Sequence, residues 1–338
     1  MLKKSVVAAV ALALSASGCG GGSGRAAARL EIGYFQGAVA RPEAVIAANE
    51  DLASAMGDPI ELRPLDSGVA GMAQLRAGAF PVISGVGNPP FVGAFATGTD
   101  VRAVFVESIE QAGLAVNDKI KSPGDLTKVG VLVGSTLDFQ LRGWLKTQNL
   151  TGKVEVASFA SEAAEVAAWK AGKIDSVFIS QAYLLELKKR GARVIVTASE
   201  IARAGHAAVD LLAVSTSYAR EHPDVVQRLV CQVAKAQTLV KGDQAERYIR
   251  PAARYLGAAP EDAVAATKDY PYIPEAEETS WLKGPDGTSG SGRLAQNFRL
   301  TAEFLVAQGR ATSVPTAGEI AVHIDPSFWD KARSGGCS

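Results

Sequence analysis

The chain has 338 residues, with 35 Lys and Arg against 35 Asp and Glu, and 47% of its residues are apolar. Balanced charge without a basic stripe argues against nucleic acid or an anionic membrane face as the main partner. The roughly 310 residues after position 28 exceed the usual size of a single core, so two lobes are expected.

In chain order, residues 1–24 read as an export signal. Lys3 and Lys4 form a basic head, and residues 5–14 form an apolar stretch too short to span a bilayer. Ala16-Ser17-Gly18 before Cys19 is similar to the lipobox of bacterial lipoproteins. That resemblance implies a signal peptide over 1–18 and acylation of Cys19, which would hold the chain to a membrane. An ordinary secretory signal cut near Ala27 or Ala28 is the alternative, and either one places the protein outside the cytoplasm. Residues 19–28 hold a GGGSG run and read as a flexible tether with a reach of roughly 17–19 Å.

From Arg29 the text alternates between strand and helix patterns. LEIGYF (30–35) is a strand, and a single helix is expected from Pro42 to a stop at Gly57. IELRPL (60–65), PVISGV (81–86) and VRAVFVES (101–108) continue the strands, with a helix over 69–78. A second series begins near 113 with GLAV, VGVLVG (129–134), a helix over 137–148 and VEVASF (154–159). It continues with the helix AAEVAAWKAG, the strand IDSVFIS, the helix QAYLLELKKRG and the strand RVIVTAS. Strands joined by helical crossovers make mostly parallel sheets covered on both faces. Past Asp210 the pattern turns mainly helical, and 279–293 reads as a mobile Gly-rich loop. The expected fold is therefore α/β with two lobes, 29–112 plus 211–338 forming one and 113–210 the other. A ligand site is expected in the cleft between them.

Three segments could hold that ligand. Ser135 and Thr136 open the helix after VGVLVG, where unpaired N–H groups and two hydroxyls suit an anion, although a plain N-cap fits equally well. Asn88 lies in the stiff SGVGNPPF loop and offers a donor and an acceptor. Asp210 stands directly before an apolar strand with no charge partner nearby in sequence. Cys231 and Cys337 either pair or stay apart as a buried thiol and a frayed end. His206, His222 and His323 lack metal-ligand spacing, no cofactor is implied, and no nucleophile elbow, Walker motif or zincin motif occurs.

Together, IGYFQ (32–36), LDSGVAGMAQLRAG (65–78), GVGNPPFVGAFATG (85–98), VGVLVGSTLDFQL (129–141), AAEVAAWKAGKIDSVFIS (163–180), VDLLAVSTSYAREHPDVV (209–226) and TAEFLVAQGR (301–310) resemble the taurine-binding proteins of ATP-driven importers. The resemblance implies a type II periplasmic-binding fold with lobe crossings near 113–117 and 208–214. It also implies an anion held by Asn88, Ser135 and Thr136, a ligand-site Gln at the first strand end matched by Gln36, an ammonium on Asp210, and ABC permease subunits as partners. Three positions depart from the family pattern: Asp138 beside the anion site, Ser180-Gln181-Ala182 in place of an aromatic wall, and Arg41 before Pro42. Asp138 and Gln181 are accordingly candidate ligand residues. The departures leave room for an alkanesulfonate, nitrate or amine-containing acid as ligand. An enzyme of the thiamine-pyrimidine synthase type is the rival reading, but its cysteine cluster and grouped histidines are missing.

Overall fold

The computed structural model describes residues 29–37 and 39–337, so the Cys19 anchor and the tether lie outside the described residues. The chain opens with β1 (Leu30–Tyr34), α1 (Pro42–Ala48), α2 (Glu50–Ala55), β2 (Ile60–Pro64), α3 (Gly68–Arg76), β3 (Val82–Gly87), α4 (Asn88–Ala96) and β4 (Val101–Ile109). It crosses into a second lobe made of β5 (Ala112–Val116), β6 (Lys128–Leu132), α5 (Thr136–Thr147), β7 (Glu155–Phe159), α6 (Glu162–Lys170), β8 (Ser176–Ser180), α7 (Gln181–Lys188), β9 (Arg193–Thr197) and α8 (Ala198–Arg203). It returns as β10 (Val209–Ser215) and completes the first lobe with α9 (Thr216–Glu221), α10 (Pro223–Lys241), α11 (Ala245–Leu256) and α12 (Pro260–Lys268). The remaining helices are α13 (Glu275–Leu282), α14 (Arg293–Ala307), α15 (Ala317–Ala321) and α16 (Ser327–Arg333).

The first sheet has the order β2-β1-β3-β10-β4 and the second β7-β6-β8-β5-β9. Within each, four strands share one direction and one is reversed. The reversed strands are β5 and β10, each the first strand after a crossing. A chain arriving from the other lobe enters the sheet from its cleft edge, so it runs against strands that end there. In β8 the alternation of side chains is visible directly. Phe178 joins Leu114, Val129 and Leu141 on one face, while Val177 and Ile179 join Val166 and Leu187 on the other. The first-lobe core is built on Ile32, Val82, Ile83, Phe105 and Leu212, with Phe298 and Leu305 of α14 packed into it.

Four sequence expectations change. The crossings lie at Glu110-Gln111 and between α8 and β10, a few residues earlier than the motifs indicate. Val209 and Asp210 therefore belong to the first lobe, because Asp210 pairs with Gly87 of β3 and Ser108 of β4, and the strand continues through the charge. The helix expected from Pro42 to Gly57 breaks at Asn49, whose backbone is extended at φ −114° and ψ 117°. The Asn49 side chain takes the Val45 carbonyl at 2.8 Å, the group a continuing helix would bond, and also reaches the Tyr248 carbonyl at 3.0 Å. Residues 279–282 extend α13 instead of opening a loop.

Cys231 of α10 and Cys337 are joined as a disulfide with their Cα atoms 5.5 Å apart. The bond ties the chain terminus across 106 residues, and in chain-entropy terms a closure of that length stabilises by about 4–5 kcal/mol. Such a bond suits an oxidising compartment.

A two-sided cleft with one neutralised and one free arginine

A cavity of about 540 Å³ lies between the lobes. The loop after β1, the end of β3 and β10 form its first-lobe wall, and the starts of α5, α6 and α7 form its second-lobe wall. Glu110 and Gln111 line it at the first crossing. The helix starts face it because each follows the end of a second-lobe strand, where α/β sheets present their ligand crevices.

Asp210 is 2% exposed and lines this cavity, yet its charge is already matched. Arg41 Nη1 donates to its Oδ2 at 3.0 Å, as do the Ser108 hydroxyl at 2.9 Å and the Tyr270 hydroxyl at 3.0 Å. Oδ1 has no partner among the described residues. The sequence showed no partner because Arg41 lies 169 positions away. Gly85 makes room for that arginine: its φ is +76°, and a Cβ there would lie 2.7 Å from Arg41 Nη1.

The donor side narrows to one residue. The Ser135 hydroxyl accepts from the Leu137 and Asp138 amides at 3.1 and 3.3 Å and donates to the Leu132 carbonyl at 2.7 Å. Ser135 is therefore an N-cap and keeps no proton for a ligand. Thr136 is different. It is 9% exposed, lines the cavity, and both its amide and its hydroxyl lack partners among the described residues. As the first residue of a twelve-residue helix, its amide is one of the orphan donors at the positive end of the dipole.

Asn88 does not reach the cleft. It is fully buried, donates to Thr301 Oγ1 at 2.7 Å and accepts from the Val209 amide at 3.2 Å, so it ties α14 to β10. The helix it opens continues with Pro89 and Pro90, which have no N–H to offer an anion. Asp138 also turns away: it accepts from the Gly134 amide at 2.9 Å and from Arg142 Nε at 2.6 Å. Its charge is neutralised within its own helix and brings no repulsion to the anion site. Gln36 and Gln181 do line the cavity, and the Gln181 amide bonds the Gln111 carbonyl at 2.9 Å, linking α7 to the crossing.

Four cavity residues were not singled out from the sequence as ligand groups. Glu162 accepts from the Ser180 amide and hydroxyl at 2.7 and 3.0 Å, so the Ser180-Gln181-Ala182 segment pins a carboxylate where an aromatic wall was expected. Burial raises the Glu162 carboxyl, against the two Ser180 bonds. Glu110 has no ion pair among the described residues, and burial pushes it up to about 8 with help from Asp210 and Glu162 and against Arg41. Tyr270 is raised by burial and stays a neutral donor to Asp210. Arg310, after α14, completes the set. Each of these is set by its neighbours in space, and nothing in its local sequence marks it.

Behind the cleft, Ser84 Oγ lies 2.7 Å from Glu43 Oε2 and 2.6 Å from Glu107 Oε1, all fully buried. One hydroxyl proton cannot serve both, so a carboxylic acid donates the second bond. Burial raises both carboxyls, and the Glu43 charge pushes Glu107 up further, so the pair holds a shared proton at neutral pH.

The NMT1-like family matches residues 23–254. The taurine-binding periplasmic protein of Escherichia coli strain K12 is 25% identical over 285 residues, which cover 81% of this chain and 86% of that protein. Among solved structures, the periplasmic aliphatic sulphonate-binding protein SsuA of Escherichia coli superposes with a TM-score of 0.70 at 19% identity, covering 88% of this chain and 92% of that one. A periplasmic sulfonate-binding protein from Methylobacillus flagellatus KT gives 0.71 at 17% identity, covering 92% and 96%. With most of its length inside the family match and both sheets inside the shared architecture, this chain belongs to the NMT1-like family and has the two-lobe fold of periplasmic binding proteins.

Proposed function

We propose that this protein is the extracytoplasmic solute-binding component of an ABC importer, and that it captures taurine or a closely related aminosulfonate and hands it to the permease. The observation that carries the reading is the pairing, in one cleft, of the free Thr136 donors with the carboxylates of Glu110, Glu162 and Asp210. Beyond the matched Arg41–Asp210 pair, the carboxyls of Glu110 and Glu162 offer partners to a cationic group, while the start of α5 and Arg310 favour an anion, and a zwitterion satisfies both. The names of the Escherichia coli relatives point to the same ligand class. Cleft closure on such a ligand follows when it touches both lobes and so stabilises only the closed form.

Thr136→Val removes the hydroxyl and keeps the shape. It should weaken taurine and ethanesulfonate alike by about 10- to 100-fold, the loss of one hydrogen bond to a charged group. Isothermal titration with both ligands checks this, and unchanged affinities would place the anion elsewhere. Ser135→Ala, by contrast, should lower stability by about 1 kcal/mol with little change in affinity.

The anchor belongs to the same proposal. With acylated Cys19 as the mature N-terminus, the short tether keeps the binding body near its permease. Cys19→Ser should move the protein from the membrane fraction to the soluble exported fraction, as read by fractionation and immunoblotting. Unchanged partitioning would favour the ordinary secretory signal.

A further inference from the structure

Of the two arginines that line the cleft, Arg41 is neutralised by Asp210, and Arg310 makes no ion pair or side-chain hydrogen bond among the described residues. Its position is set by the first lobe. It follows α14, and its amide bonds the Leu305 carbonyl at 2.8 Å, with Leu305 in the first-lobe core. Its guanidinium nevertheless lies against the second lobe, over Gly134 in the turn between β6 and α5. A Cβ on Gly134 would fall 1.6 Å from Arg310 Nη1 and 2.4 Å from its Cζ, and φ there is +70°, so only glycine admits the contact. Two residues further on is Thr136, nine-tenths buried, with its amide and hydroxyl unpartnered among the described residues.

We propose that Arg310 is an interlobe anion clasp, a first-lobe guanidinium that closes on the ligand anion held by Thr136 of the second lobe. The inference rests on the cleft-binding reading above and adds the group that couples anion capture to closure. The planar fork of a guanidinium matches two oxygens of a sulfonate, which a single ammonium does not. Asp210 is bound to Arg41 and Glu162 to Ser180, and among the described residues neither Glu110 nor Asp66 forms an ion pair with Arg310. The guanidinium is also reachable from outside, since Arg310 lines a neighbouring groove of about 270 Å³ with Arg76 and Met72. An anion gripped from both lobes stabilises only the closed arrangement, so a side chain outside the core can control closure.

The test uses the mature protein, taurine, ethanesulfonate and nitrate as probes, and the variants R310Q and R310K. R310Q should raise the dissociation constant for taurine and ethanesulfonate by about 10- to 100-fold, with R310K between it and wild type. The melting temperature of the empty protein should not move, because among the described residues the Arg310 side chain has no ion pair or hydrogen bond to lose. Small-angle scattering at saturating taurine should show contraction in wild type and a smaller contraction in R310Q. Wild-type affinity in R310Q, or equal contraction in both proteins at saturation, overturns the clasp and leaves the cleft-binding reading standing. A wild-type protein that binds none of the three probes overturns both.

Discussion

Taurine affinity should rise about tenfold from pH 6 to pH 7, less steeply from 7 to 8, and level off above pH 8. Glu110 is the cause. Its carboxyl is pushed up to about 8 in the empty cleft, so below that pH it is mostly protonated. An ammonium beside it favours the ionised form, so binding must release about one proton, and each pH unit below 8 costs about 1.4 kcal/mol. The groups facing Glu110 set the size of the effect: Asp210 and Glu162 raise its value and Arg41 lowers it, while Tyr270 stays neutral. Ethanesulfonate carries no ammonium and should show no such rise. Glu110→Gln should flatten the taurine profile and weaken binding at pH 8 by about 10- to 100-fold. Titration calorimetry in buffers of different ionisation enthalpy counts the released proton directly. A flat taurine profile with no proton release would remove Glu110 as the ammonium site.

Asp210→Asn should destabilise the empty protein by about 3–5 kcal/mol, because it leaves the Arg41 guanidinium buried without its counter-charge. The Ser108 and Tyr270 hydroxyls would also lose the carboxylate oxygen to which both donate. The double variant Arg41→Gln with Asp210→Asn should recover much of that loss, since neither charge is then stranded. Thermal or urea denaturation of the single and double variants measures the coupling. The effect on ligand choice separates this arrangement from the sequence-level expectation, in which Asp210 holds the ammonium. If Arg41 satisfies Asp210, the double variant should keep most of the preference for taurine over ethanesulfonate. Loss of that preference in a stable double variant would return the ammonium to Asp210, through the Oδ1 that has no partner among the described residues.

Much of this architecture was legible in the residue pattern. Apolar strands such as 129–134 and 174–180, separated by helices of ten or so residues, can bury both faces only as covered sheets, and two such series need two cores. Hydrophobic periodicity is a local property, and the strands and helices of the second lobe follow it closely. The split of the first long helix was hidden because Asn49 is stopped by a carbonyl of α11, almost 200 positions away. The pairing of Cys231 with Cys337 stayed open for the same reason, since spacing cannot show whether a chain end folds back onto α10.

The candidate site divides along the same line. The residue types were in view, with hydroxyls at a helix start and an acid before a strand, and so was the family resemblance. What tertiary structure alone decided is which of those groups remain free. Ser135 and Asp138 are bound to their own helix, Asn88 to α14 and β10, and Asp210 to Arg41, whereas among the described residues Thr136 and Arg310 keep open donors and Glu110 an unpaired carboxyl. A polar side chain can serve a ligand only where the fold has not already satisfied it, and that depends on distances between residues far apart in the chain.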